Sequence, residues 1–182
     1  MSAFEPYLPT IQTPYPSDWS KVSDFKYTAD LYLARAREKI LCGSGREAEY
    51  VVAADFTCQC LVDGEPWEIR VPNGMLTDLA SVPPLWRIVV GRVGTHLEAA
   101  IVHDFLFVAW QDTLENGAKP HQRDFDFANE IMRHAMLASD VPPVPSWMIQ
   151  TAVTSWVGRR RFFMKKPGAR YVRVPGPEFL AA

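Results

Sequence analysis

Cysteine is scarce in this chain and is badly placed for cross-linking. Cys42, Cys58 and Cys60 are three in number, with no C-x-x-C pair, and Cys58 and Cys60 would point the same way on a strand. Neither a disulfide framework nor a zinc knuckle is indicated, and a reducing compartment fits best. A long uninterrupted apolar run is missing too. The longest, Ala99 to Trp110, is broken by His103 and Asp104, so no transmembrane helix is expected. The opening M-S-A-F-E-P-Y-L-P is acidic and proline-bearing and lacks the apolar segment of a secretory leader. A strong charge of one sign is also absent: the formal net charge is −2, which selects no class of partner. With 48% hydrophobic and 12% aromatic residues, the composition is that of a globular protein rather than a disordered one. The length of 182 residues suits one domain with arms, large enough to bury a core.

What the chain does have is concentrated between Val71 and Trp110. V-P-N-G-M-L-T-D-L-A-S-V-P-P is followed closely by T-H-L-E-A-A-I-V-H-D-F-L-F-V-A-W. The second stretch reads as a helix, with Thr95 able to cap it and Glu98 completing a capping box. From Ala99 to Trp110 every residue except His103 and Asp104 is apolar, which predicts a buried helix. Two adjacent ionisable groups then sit inside the fold, and an unpaired buried charge costs several kcal/mol, roughly. Partners, a metal or a wet cleft must therefore be supplied there, which makes this the place to look for a site.

The flanking chain reads as α+β, a small antiparallel sheet or hairpin followed by three helices, with extended N- and C-terminal arms. Residues 1–24 carry Pro6, Pro9, Pro14 and Pro16 among Phe4, Tyr7, Tyr15 and Trp19, the pattern of an extended arm that lies on its own domain or on a neighbour. Residues 25–158 form the domain. Within it Lys26 to Leu41 is read as a strand followed by an irregular or helical turn. Tyr50 to Val62 and Trp67 to Val71 form a hairpin about the turn Asp63 to Pro66. Gln122 to Ala138 is a helix with Phe125, Ala128, Ile131, Met132 and Ala135 on its buried face, and Ser146 to about Gly158 is a third. Residues 159–182 make a basic tail.

The order T-D-L-A-S-V-P, then A-A-I-V-H-D-F-L-F, then R-D-F-D-F-A-N-E-I-M resembles the family known as domain of unknown function 1353, over about Tyr50 to Met136. The resemblance implies a bacteriophage or prophage setting and no agreed activity. Locally, His103 and Asp104 followed by Phe105, Leu106 and Phe107 are similar to the His-Asp helix of phospholipase A2 enzymes, without the glycine-rich calcium loop or the cysteine framework of that family. That likeness implies His103 as the base that activates water and Asp104 as a calcium ligand, with Asp126 on the next helix orienting the imidazole. Asp78 and its loop carbonyls would complete the site for calcium or another divalent cation; no cofactor is otherwise required. An alternative makes Ser81 a nucleophile with His103 as base and Asp78 or Asp126 as orienter, although the G-x-S-x-G elbow is missing. A zinc site from His96, His103 and an Asp is a further arrangement, since positions seven apart share a helix face. Against these stand plainer roles: Asp78 closing an Asx turn, Ser81 capping a helix, Asp126 as a surface carboxylate near Arg123 and Glu130, and His103 as a satisfied core residue.

The expectation common to every role is that Asp78, His103 and Asp104 meet in one polar pocket, with Ser81. The C-terminal cations supply the other candidate. Arg159, Arg160, Arg161, Lys165, Lys166, Arg170 and Arg173 follow one another with no acid between, leaving 12 cations against 21 acids in the rest of the chain. Arg159 to Lys166 are therefore the expected partner-binding residues, for phage structural proteins in a symmetric oligomer, envelope lipid or nucleic-acid phosphate. Two function classes follow. One is a virion, tail or head–tail assembly component, made in the host cytoplasm and carried in the particle. The other is a hydrolase acting on the host envelope.

Overall fold

The computed structural model describes residues 8–9, 11, 13–35, 47–78, 96–115, 121–164 and 170–174. Among them are two three-stranded antiparallel sheets and four helices, a mixed α+β architecture. The first sheet has the order β1 (Val22–Tyr27), β4 (Phe56–Val62), β5 (Glu65–Val71). The second has the order β2 (Leu33–Arg35), β3 (Tyr50–Val52), β6 (Leu76–Thr77). The helices are α1 (Leu97–Glu115), α2 (Gln122–Ala138), α3 (Pro143–Thr154) and α4 (Trp156–Phe163).

Period-two alternation sets the first sheet. Phe56, Cys58, Cys60 and Val62 of β4, with Ile69 and Val71 of β5, point inward and meet Ile101, Val102, Phe105 and Leu106 of α1 and Phe125, Phe127, Ala128 and Ile131 of α2. Each large apolar side chain fully buried in such a core contributes about 1.5–3 kcal/mol. Cys58 and Cys60 do share a face, as free thiols, and burial holds the Cys60 thiol up at about 11. Asp63 and Gly64 join β4 to β5 with φ of 53° and 91°. This is a two-residue turn of the kind Asp-Gly favours, because both positions need positive φ. The Asp63 carboxylate accepts from Ser20 Oγ at 2.6 Å and from the Lys21 N–H at 2.8 Å, which ties the turn to the start of β1.

Three details differ from the sequence reading, and a fourth decides between two alternatives it allowed. The stretch Tyr50 to Val62 is two strands in two sheets, because Asp55 stops the first: it pairs with Arg70 and accepts from the Asn73 N–H at 2.8 Å. Of the two places expected for the N-terminal arm, residues 13–20 take the first, their own domain. Tyr15 is buried and its hydroxyl donates to the Leu106 carbonyl, Trp67 Nε1 donates to the Pro14 carbonyl at 3.1 Å, Trp19 packs edge-on to Phe127, and β1 already begins at Val22. The expected third helix is two. Ser155 leaves helical geometry at ψ 164° and its Oγ accepts from the Gly158 N–H, capping a new helix. At this corner a Cβ on Gly158 would lie 2.1 Å from the Val153 carbonyl oxygen, so the close approach requires glycine. The expected tail boundary at 158/159 thus falls inside α4. Beyond it, residues 170–172 lie beside β6, with Leu76 N–H donating to the Arg170 carbonyl and Val172 N–H to the Gly74 carbonyl, each at 2.9 Å.

Candidate functional site

Thr95, the expected cap of α1, lies outside the described residues; the helix opens with the Ala100 N–H donating to the His96 carbonyl at 2.9 Å. Successive residues on a helix diverge by about 100°, so His103 and Asp104 face different neighbours. Asp104 faces β6, where its Oδ2 accepts from Thr77 Oγ1 at 2.7 Å. Two turns later on the same face stands Gln111, whose Oε1 accepts from Arg170 Nε at 3.4 Å. Thr77, Asp78, Gln111 and Arg170 are all buried. They make a polar seam between β6, α1 and the 170–172 segment. Thr77 therefore meets Asp104, and Asp78 is buried next to Thr77. Arg170, counted at the sequence level among the tail cations, belongs to this seam instead. Ser81 lies outside the described residues.

His103 bonds to α2 while its neighbour Asp104 bonds to β6, so the two adjacent side chains serve different elements. The His103 ring is 2% exposed, rests against Phe107 with centroids 4.4 Å apart, and brings Nε2 within 3.2 Å of Asn129 Oδ1. Asn129 Nδ2 donates to the Phe125 carbonyl at 2.9 Å. The amide orientation is fixed by that bond, so Oδ1 is the acceptor and Nε2 carries the imidazole proton. Nδ1 is left with its lone pair, buried and without a hydrogen-bond partner among the described residues. Burial lowers the His103 pKa to about 4 against the smaller opposing effect of the Asn129 bond, so the ring is neutral near pH 7.

Asp126 is not the orienting group. It is exposed on α2 and accepts from Gln122 Nε2 at 2.8 Å, the surface-carboxylate role. Asn129 takes the place expected of it, a role that the sequence analysis gave to Asp126. The signal was present: Asn129 is four residues after Phe125 and three before Met132, spacings that put it on the buried side. The metal expectations gain no support from clustering. Among the described residues no three His, Cys, Asp or Glu side chains gather, whether around Asp78 and Asp104 or around His96 and His103. His96 is buried, and burial depresses its pKa.

A second candidate lies on α4. Trp156, Arg159, Arg160, Phe163 and Met164 line an open hollow of about 430 Å³. The Arg159 guanidinium sits 5.3 Å from the Phe163 ring centroid and that of Arg160 6.0 Å from Trp156. Arg159 Nε also donates to Gln122 Oε1 at 2.6 Å, so its head is held from two sides. Trp156 is 70% exposed and Trp147 on α3 66%. Of the predicted partner-binding residues, Arg159 and Arg160 line this hollow, Arg161 is half-buried, and Lys165 and Lys166 lie outside the described residues.

A family model described as "Protein of unknown function (DUF1353)" matches residues 50–153, more than half of the chain. No curated protein and no solved structure matches.

Proposed function

Starting from the chain's membership of the DUF1353 family of proteins of unknown function, we propose that it is a non-catalytic assembly component of a bacteriophage or prophage particle, of the virion, tail or head–tail class. It docks on a neighbouring protein through α4. The observation that carries this reading is the hollow on α4. Tryptophan, arginine, phenylalanine and methionine are the residues enriched at protein interfaces, and exposed Trp and Arg anchors commonly cost about 2 kcal/mol or more of binding when truncated. An exposed side chain such as Trp156, beside guanidinium groups already stacked on rings, loses little further freedom on docking. The protein is made in the host cytoplasm and retained in the particle. The test is to introduce W156A with R159E and R160E into the phage or prophage and weigh the chain in purified particles. Loss of the chain from particles, with the variant still folded, is the expected result; undiminished incorporation rejects the role.

A second reading, a hydrolase directed at the host envelope, is favoured by one observation: Asn129 fixes His103 in the tautomer that leaves Nδ1 unprotonated, the form a general base needs. In it His103 is the base, Ser81 remains a candidate nucleophile, and Asp78 and Asp104 remain candidates for a divalent cation such as calcium. Hydrolysis of ester, phospholipid or peptide substrates, abolished by His103→Ala and weakened by Asn129→Ala, would establish it. No turnover with or without calcium removes it.

A further inference from the structure

Resting on the assembly reading above, we infer that the partner seated on the α4 hollow is a second copy of this chain, entering by its β4–β5 hairpin. The two surfaces are opposite in charge. The hollow presents the exposed cations Arg159 and Arg160, in a stretch with no acid between residues 141 and 174, whereas the hairpin presents the exposed acids Asp63, Glu65 and Glu68 against Arg70 alone. They are also opposite in shape. The hollow is concave and ringed by two arginines over aromatic rings. The hairpin is a convex tip in which Asp63, Gly64, Glu65 and Pro66 are all exposed, and its positive φ values hold it in one conformation.

The carboxylates at the tip are not equivalent. Asp63 is consumed by Ser20 and Lys21. Glu65 has no partner among the described residues, and Glu68 accepts a single bond, from Gln59 Nε2 at 3.2 Å. Glu65 and Glu68 are therefore the groups free to meet Arg159 and Arg160, while Pro66 offers an apolar edge to Trp156 and Phe163. Charge-assisted bonds between guanidinium and carboxylate are the strong, directional kind. A flat anionic bilayer would meet the same cations, but it has no convex element to fill a hollow. Because the hollow and the hairpin are different surfaces, a single contact is heterologous and builds a ring or an open filament, and two copies that exchange both contacts form a two-fold pair.

The experiment is sedimentation of the full-length chain over a concentration series at low and high salt. The wild type self-associates, more weakly as salt rises. R159E/R160E and E65K/E68K each lower the association constant by about tenfold or more. Mixed in equal amounts, the two variants associate again, since every hairpin once more meets a hollow of opposite sign. A wild type that stays monomeric, E65K/E68K self-associating like the wild type, or a mixture that stays dissociated each overturns the inference. So does α4-dependent binding to vesicles of anionic phospholipid by a chain that does not self-associate. A monomeric wild type whose R159E/R160E variant is still lost from particles separates the two ideas: the assembly role then stands and the self-pairing fails.

Discussion

The seam around α1 and the surface of α4 invert the ordinary arrangement of a globular protein in opposite directions. Around α1, polar side chains are inside: His103, Asn129, Thr77, Asp78, Gln111 and Arg170 are buried. On α3 and α4, large apolar side chains are outside: Val144, Trp147, Trp156, Val157 and Met164 are exposed. The first inversion works within the chain, because most of the buried groups are bonded to one another and specify how sheet, helices and C-terminal segment dock. The second inversion leaves large apolar side chains in solvent, which is what the proposed docking role accounts for. Substitutions in the first region should therefore be read in stability, and those in the second in association.

The largest effect is expected where the N-terminal segment packs on α1 and α2. Tyr15→Ala removes a buried ring and its bond to the Leu106 carbonyl, and should lower unfolding free energy by about 3–5 kcal/mol in urea titration. A change within about 0.5 kcal/mol would make the segment a dispensable arm after all.

Next comes pH. His103 has a folded pKa of about 4 below an ordinary value near 6.5, so the unfolded chain binds its proton first as the solution is acidified. Its contribution is complete above about pH 6.5 and is lost as pH falls through that value towards 4, about 3 kcal/mol in all. Burial depresses His96 and His134 in the same direction. Melting temperatures from pH 7.5 down to 4.5 should fall accordingly, and His103→Leu should flatten the slope; an unchanged slope would show that another group carries it.

Asn129→Ala leaves the His103 Nε2–H unpaired, and Asp104→Ala removes the buried carboxylate that accepts from the Thr77 hydroxyl. Each should cost about 1–3 kcal/mol. For Asn129 the sharper reading is nitrogen NMR of the imidazole, which should show the Nε2–H tautomer in the wild type and a mixture in the variant. The smallest effect belongs to the other region. Trp156→Ala with Arg159→Gln and Arg160→Gln should leave stability within about 0.5 kcal/mol, and a large fall in melting temperature would mean that α4 is core rather than interface.

The sequence made the inner region partly legible because burial writes periodicity. The alternation of β4, the apolar face of α2 and the conflict of two ionisable residues inside an apolar helix all pointed to α1 as the helix to examine, and Thr77 meets Asp104 there. It hid the pairing of His103, since an Asn at a buried helical position looks like a surface residue when Asp126 and Glu130 flank it. Arg170 was illegible for another reason: a cation after five others reads as solvated until the backbone bonds of residues 170–172 place it beside β6. Ser155 was passed over because a helix broken for one residue keeps its apolar spacing on both sides. The packing of Tyr15 and Trp19 onto α1 and α2 depends on contacts some ninety to a hundred residues away in sequence, which local pattern does not encode.

Residues 170–172 also bear on how the protein should be handled. The recognisable stretch ends at residue 153, yet Tyr171 and Val172 are fully buried beside β6 and Phe162 is buried in the main core. At the other end, β1 precedes residue 50 and pairs along β4. Kinship in sequence and the cooperative folding unit therefore have different limits. A fragment cut to 50–153 for expression would lose β1, β2 and the 170–172 segment, baring the unpaired N–H and C=O groups of β3, β4 and β6 as templates for aggregation. Precipitation of such a fragment would say nothing about the family's stability, and a piece worth purifying keeps at least Ile11 through Val174.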